Sequence, residues 1–124
     1  MPKPRPKYLN LFKIRLPVAG FVSILHRVSG ALLFLLIPLV LWLWESSLLT
    51  PDTFAGFKAI LGHPLMKLVV IGIAWAYLHH FCAGIRHLAL DLHYGTTLEA
   101  ARATSWAVLA VSLLLTLAFG ASIW

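Results

Sequence analysis

Two short stretches carry nearly all the residues that could do chemistry, and both lie inside apolar runs. The first is Ser23-Ile24-Leu25-His26-Arg27-Val28-Ser29-Gly30; the second is His79-His80-Phe81-Cys82-Ala83-Gly84-Ile85-Arg86-His87-Leu88-Ala89-Leu90-Asp91. At about 100° per residue, Ser23, His26, Arg27 and Gly30 occupy an arc of roughly 100° on a helix. On the second stretch His80, Gly84, His87 and Asp91 follow at intervals of four, three and four residues and line up within roughly 60°. His79 points about 100° away from that stripe, near the direction of Arg86, so only one of the adjacent histidines shares a face with His87. Ionisable groups within apolar segments cost free energy, about 2.5–3.5 kcal/mol for a central Arg on insertion scales, so their presence points to a site.

Two histidines on one face with a glycine between them suit a flat, bulky group packed between helices. A haem b fits, with a neutral imidazole as axial ligand and cations nearer the boundary for its propionates. His80 lies seven residues, roughly 10 Å, deeper than His87, comparable to the distance from haem iron to propionate edge. This spacing makes His80 the expected iron ligand, with His87, His26 and either Arg27 or Arg86 near the carboxylates. Gly84 removes a side chain where a flat group could approach the backbone. His26 and His87 are both shallow, so a second axial histidine is expected from another subunit.

The composition dictates what positions these residues. Of 124 residues, 60% are hydrophobic and 11% charged, and the mean hydropathy is +0.89. Soluble domains run at about 45–50% apolar and a quarter charged, so this chain lacks the polar residues to cover a water-facing surface. At about 20 residues per crossing the length holds three spans, four at most, and leaves no room for a separate catalytic domain. The expected fold is all-α, an integral membrane three-helix anchor. A basic segment over 1–16 precedes a transmembrane domain over 17–124, with spans near 21–45, 64–90 and 103–124. Pro38 should kink the first span. Between the first two spans, Thr50-Pro51-Asp52 marks a turn, and Asp52 or Thr53 is the expected cap of a short interfacial helix.

Five of the ten basic residues, Lys3, Arg5, Lys7, Lys13 and Arg15, fall in the first fifteen positions. Placed before the first apolar run, they read as a topology signal and put the N-terminus on the cytoplasmic side, with weak adhesion to anionic lipid as a secondary effect. No cleavable signal is expected, and the setting expected is a bacterial cytoplasmic (inner) membrane. Nucleic-acid binding is excluded, since no soluble domain remains to carry it. The one cysteine, Cys82, excludes an intrachain disulfide and any CxxC motif. Trp42, Trp44, Trp106 and Trp124 sit near span ends, where aromatic belts form.

These residues resemble the cytochrome b556 membrane-anchor subunits of succinate dehydrogenase, respiratory complex II. The likeness rests on Arg5-Pro6 and the lead-in to Pro17, on the Ser23 to Gly30 stretch, and on His80-x-x-x-Gly84-Ile85-Arg86-His87 with Asp91. It extends to a third span ending in Trp124, so it covers nearly the whole chain. The chain departs from the family pattern at Leu90, where an aromatic or Met often stands, and at His93, where a small residue is common.

The resemblance implies that His80 is the axial haem ligand and that His26 and His87 lie near the propionates. It also implies that Ser23 and Arg27 line a ubiquinone site. The partners it implies are a second membrane anchor supplying the other haem ligand, an iron–sulfur subunit and a flavoprotein subunit, with electrons passing from succinate to ubiquinone. The chain alone is not expected to be active. The alternatives are the anchor of a fumarate reductase or other quinone-linked oxidoreductase and, in a different class, a small proton-conducting membrane protein.

Overall fold

The computed structural model describes residues 4, 7, 8, 10 and 12–124; Lys3 and the Arg5-Pro6 pair lie outside the described residues. Four helices follow in order: α1 (Val18–Ser47), α2 (Pro51–Gly62), α3 (Pro64–Asp91) and α4 (Leu98–Ile123). No strand occurs among the described residues. α1, α3 and α4 are 30, 28 and 26 residues long and apolar enough to cross a membrane. At 1.5 Å per residue each reaches about 40 Å, which exceeds a hydrocarbon core of about 30 Å.

Prolines and short side chains set the helix starts. Pro51 and Pro64 occupy first-turn positions, where a missing N–H costs nothing. The cap of α2 is Thr50, two or three residues earlier than expected from the sequence. Its hydroxyl accepts from the Thr53 amide at 3.1 Å, while the Thr53 hydroxyl accepts from the Thr50 amide at 3.0 Å. With Pro51 leading the helix, the cap must precede it. α4 starts at Leu98, five residues before the expected span, because Thr97 caps the Ala100 amide at 3.2 Å and Glu99 sits in the first turn. The sequence expectation marked where lipid begins, whereas the helix begins in the polar boundary. α1 continues unbroken through Pro38.

Packing is that of a membrane bundle. α3 is central, with its most extensive contact along α4 and its next along α1. Large apolar side chains point outward, Phe34 and Leu35 being about 70% exposed, while the buried set is rich in small and polar residues: Ala76, Ala83, Ser105, Ser112 and Thr116. Small residues let helices approach closely, and backbone carbonyls absorb the hydroxyls, as when Ser105 donates to Ala101 O and Thr116 to Ser112 O. Water would penalise so apolar a surface; lipid does not. The chain is a multi-pass membrane protein.

α3 ends with the Tyr94 amide donating to Ala89 O at 2.9 Å, while His93 takes the left-handed conformation at φ 64°. That conformation is uncommon for residues other than glycine, and histidine is among those that adopt it more often.

Candidate haem and quinone site

Alternating helix directions bring the N-terminal third of α1 beside the C-terminal half of α3, so both polar stretches meet at one end of the bundle. His26 of α1 lies over His80 of α3 with ring centroids 4.2 Å apart and planes 5° from parallel. His87, nearly two turns further along α3, comes within 4.9 Å of His26, centroid to centroid. The two stripes therefore converge, with His26 as the link.

Two glycines make that approach possible. A Cβ on Gly30 would stand 2.8 Å from Cε1 and 3.2 Å from Nδ1 of His80; a Cβ on Gly84 would stand 3.6 Å from Nε2 of His26. Each helix thus receives the other's imidazole opposite a glycine. The flat group opposite Gly84 in this structure is the His26 ring.

The orientation of His80 is set by the backbone of α1. Its Nδ1 lies 3.0 Å from the carbonyl oxygen of His26 and 3.3 Å from Oγ of Ser29, whose hydroxyl donates to the same carbonyl at 2.9 Å. A carbonyl only accepts, so Nδ1 carries a proton, and in the neutral tautomer this leaves the lone pair on Nε2. Nε2 has no hydrogen-bond partner among the described residues. His80 lines a cleft of about 460 Å³ with Gly30, Leu33, Phe34, Ile37, Tyr77 and Phe81. An imidazole with one nitrogen held by a carbonyl and the other without a partner, beside an apolar cleft, has the features that a metal-ligating histidine needs. The three histidines do not themselves enclose an ion: no group of three His, Cys, Asp or Glu that could hold one occurs among the described residues. These features fit one axial ligand to a planar macrocycle.

Ser23 is half-buried and Arg27 exposed, on the same helix as His26 and within one turn of it. Arg86 turns away from this end's histidines. It is 8% exposed, with Nε donating to Thr104 Oγ1 at 3.0 Å and Nη2 to Ala101 O at 3.4 Å, so it ties α3 to α4 and leaves Arg27 as the cation on the histidine side. Asp91 is exposed at the end of α3. His79 is fully buried, both ring nitrogens lack a hydrogen-bond partner among the described residues, and its ring lies 5.3 Å from that of Trp75. It takes no part in the His26, His80 and His87 cluster. Ser29 was missed from the sequence because it falls outside the Ser23 to Gly30 arc; its signal is its position three residues after His26, where a hydroxyl reaches the preceding turn's carbonyl.

The family described as succinate dehydrogenase/fumarate reductase transmembrane subunit matches residues 1–119. The chain belongs to this family. Among its relatives, the succinate dehydrogenase cytochrome b556 subunit of Coxiella burnetii is 36% identical over 97% of each chain. The subunit of the same name from Paracoccus denitrificans is 34% identical, covering 90% of this chain and 85% of its own, and that from Rickettsia felis is 30% identical, covering 93% and 88%. Membership places the chain in an oxidoreductase complex of the membrane and agrees with the three apolar helices.

Proposed function

We propose that this chain is the cytochrome b anchor subunit of a succinate:ubiquinone oxidoreductase. It would hold haem b through His80 at the contact with a second anchor subunit and contribute Ser23 and Arg27 to the quinone-reduction site. The observation that carries the reading is His80 itself, in a chain of this family. Its Nδ1 proton is committed to the His26 carbonyl and its Nε2 is free beside an apolar cleft between α1 and α3. The names of the three relatives favour succinate oxidation over fumarate reduction.

When bound, haem b supplies a one-electron redox centre within the membrane. The protein's part is binding and orientation. His80 would hold the haem iron through Nε2, together with a residue of the partner anchor, while His26 and His87, nearer the end of the bundle, would meet the propionates. Apolar Leu33, Phe34, Ile37 and Phe81 keep water from the deep edge. Succinate oxidation at the flavin of a soluble partner releases two electrons and two protons. The iron–sulfur subunit of that assembly would carry the electrons to this site, where ubiquinone would take up two electrons and two protons to become the quinol. Ser23 can donate a hydrogen bond to a quinone carbonyl. Arg27, four residues on and so on the same face, offers a fixed positive charge to the oxygen on which negative charge develops.

By the positive-inside rule, Lys7, Lys13 and Arg15, with Lys3 and Arg5, put the N-terminus and the site on the cytoplasmic side of a bacterial inner membrane. Purification of the chain in mild detergent with its native partners tests the reading as a whole. A haem b spectrum together with flavin and iron–sulfur subunits is expected; a preparation containing none of these would overturn it.

A further inference from the structure

The His26 carbonyl that orients His80 is a shared acceptor. Beyond the helical Gly30 amide, Ser29 Oγ donates to it at 2.9 Å and His80 Nδ1 at 3.0 Å. Oγ also lies 3.3 Å from Nδ1, the longer contact, so the carbonyl is the main acceptor of Nδ1–H, and Ser29 is only 5% exposed. Two donors on one oxygen each weaken the other, since each withdraws electron density that the second bond would use. A hydrogen bond from Nδ1–H makes an imidazole more electron-rich and its opposite nitrogen a more basic ligand. We propose that Ser29 is a positioning residue for His80: by occupying part of the His26 carbonyl, its hydroxyl limits the basicity of Nε2 and so raises the reduction potential of the group that His80 binds.

The inference rests on the assignment of His80 as haem ligand. It has a structural corollary. Ser29 and the His26 carbonyl belong to the same two turns of α1 as Ser23 and Arg27, so one helix segment carries both the quinone contacts and the control on the ligand.

The test uses the purified complex and a potentiometric titration followed at the haem band. Ser29→Ala leaves the carbonyl to His80 and the helical Gly30 amide, strengthens the Nδ1–H bond and favours the ferric state. At an ambient potential equal to the parent's midpoint, the ferric to ferrous ratio is expected to rise several-fold, with a changed spread of g-values in the ferric spectrum. Ser29→Thr retains the hydroxyl and is expected to titrate like the parent; Ser29→Cys, a weaker donor, is expected to shift in the same direction as Ser29→Ala by less. A midpoint that stays put or rises in both Ser29→Ala and Ser29→Cys, with haem fully retained, overturns the inference and leaves His80 as ligand. If the parent complex contains no haem b, or His80→Ala leaves its spectrum intact, the ligand assignment itself falls and the inference with it.

Discussion

Replacing Gly30 by alanine tests the geometry at its tightest point. The added methyl would stand 2.8 Å from Cε1 of His80, about 0.7 Å inside the nearest comfortable carbon–carbon separation of about 3.5 Å. The imidazole has little freedom to yield: one face lies against His26 at 4.2 Å, and Nδ1 is held at 3.0 Å by the His26 carbonyl. Either that hydrogen bond breaks or α1 and α3 separate. Overpacking of this kind costs about 1–3 kcal/mol, and the gain from Gly to Ala within a helix returns about 1 kcal/mol. The net loss of fold stability is therefore modest, about 2 kcal/mol at most.

The loss at the site should be larger, because a ligand nitrogen moved by more than half an ångström leaves its axis. The assay is haem content per assembled complex, with the reduced-minus-oxidised spectrum. Gly30→Ala is expected to assemble with depleted or spectrally altered haem. Gly84→Ala is the control: its methyl would lie at an ordinary 3.6 Å from His26 Nε2, so it should keep haem and gain up to about 1 kcal/mol of helix stability. Full haem with an unchanged spectrum in Gly30→Ala would refute the reasoning, as would equal loss in both variants.

Arg27→Ala and Ser23→Ala are expected to lower succinate–ubiquinone turnover, on the order of 100-fold for the arginine, while oxidation of succinate by an artificial soluble acceptor is retained; parallel loss of both activities would point to failed assembly. Thr104→Val removes the 3.0 Å acceptor of the buried Arg86 Nε at nearly constant volume and should destabilise the α3–α4 contact by about 1.5–3 kcal/mol, with Thr104→Ser restoring it. A thermal midpoint unmoved by Thr104→Val would show that Arg86 does not depend on that hydroxyl. His79→Leu discards two buried, unpartnered nitrogens, a gain of about 1–3 kcal/mol, against loss of the Trp75 contact worth about 0.5–1.5 kcal/mol. Unfolding of the detergent-solubilised complex should thus occur at the same temperature or higher; a marked drop would mean that the ring is partnered, by the Val22 backbone of α1 or by a buried water.

Helical periodicity alone placed His80, Gly84 and His87 on one side of their span and Ser23, His26, Arg27 and Gly30 on one side of theirs, and those faces do meet. Scarcity of charge made the spans plain. What periodicity cannot register is the facing of one helix against another. That Gly30 makes room for His80 and Gly84 for His26 depends on the relative height of α1 and α3, which no intrahelical spacing encodes. Ser29 acts across the same interface and was hidden for the same reason. Arg86 was ambiguous because its direction was known but not its neighbour; the Thr104 hydroxyl settles it toward α4. The caps at Thr50 and Thr97 extended or shifted helix starts because hydropathy marks immersion in lipid, whereas side-chain hydroxyls mark where a helix begins.

The most direct measurement is the optical spectrum of the purified His80→Ala complex, taken reduced minus oxidised and normalised to assembled protein. With Nε2 of His80 as the axial ligand, haem b is lost or its bands shift and its ferric form turns high-spin. An assembled complex with haem at parent stoichiometry and an unaltered spectrum would contradict the assignment.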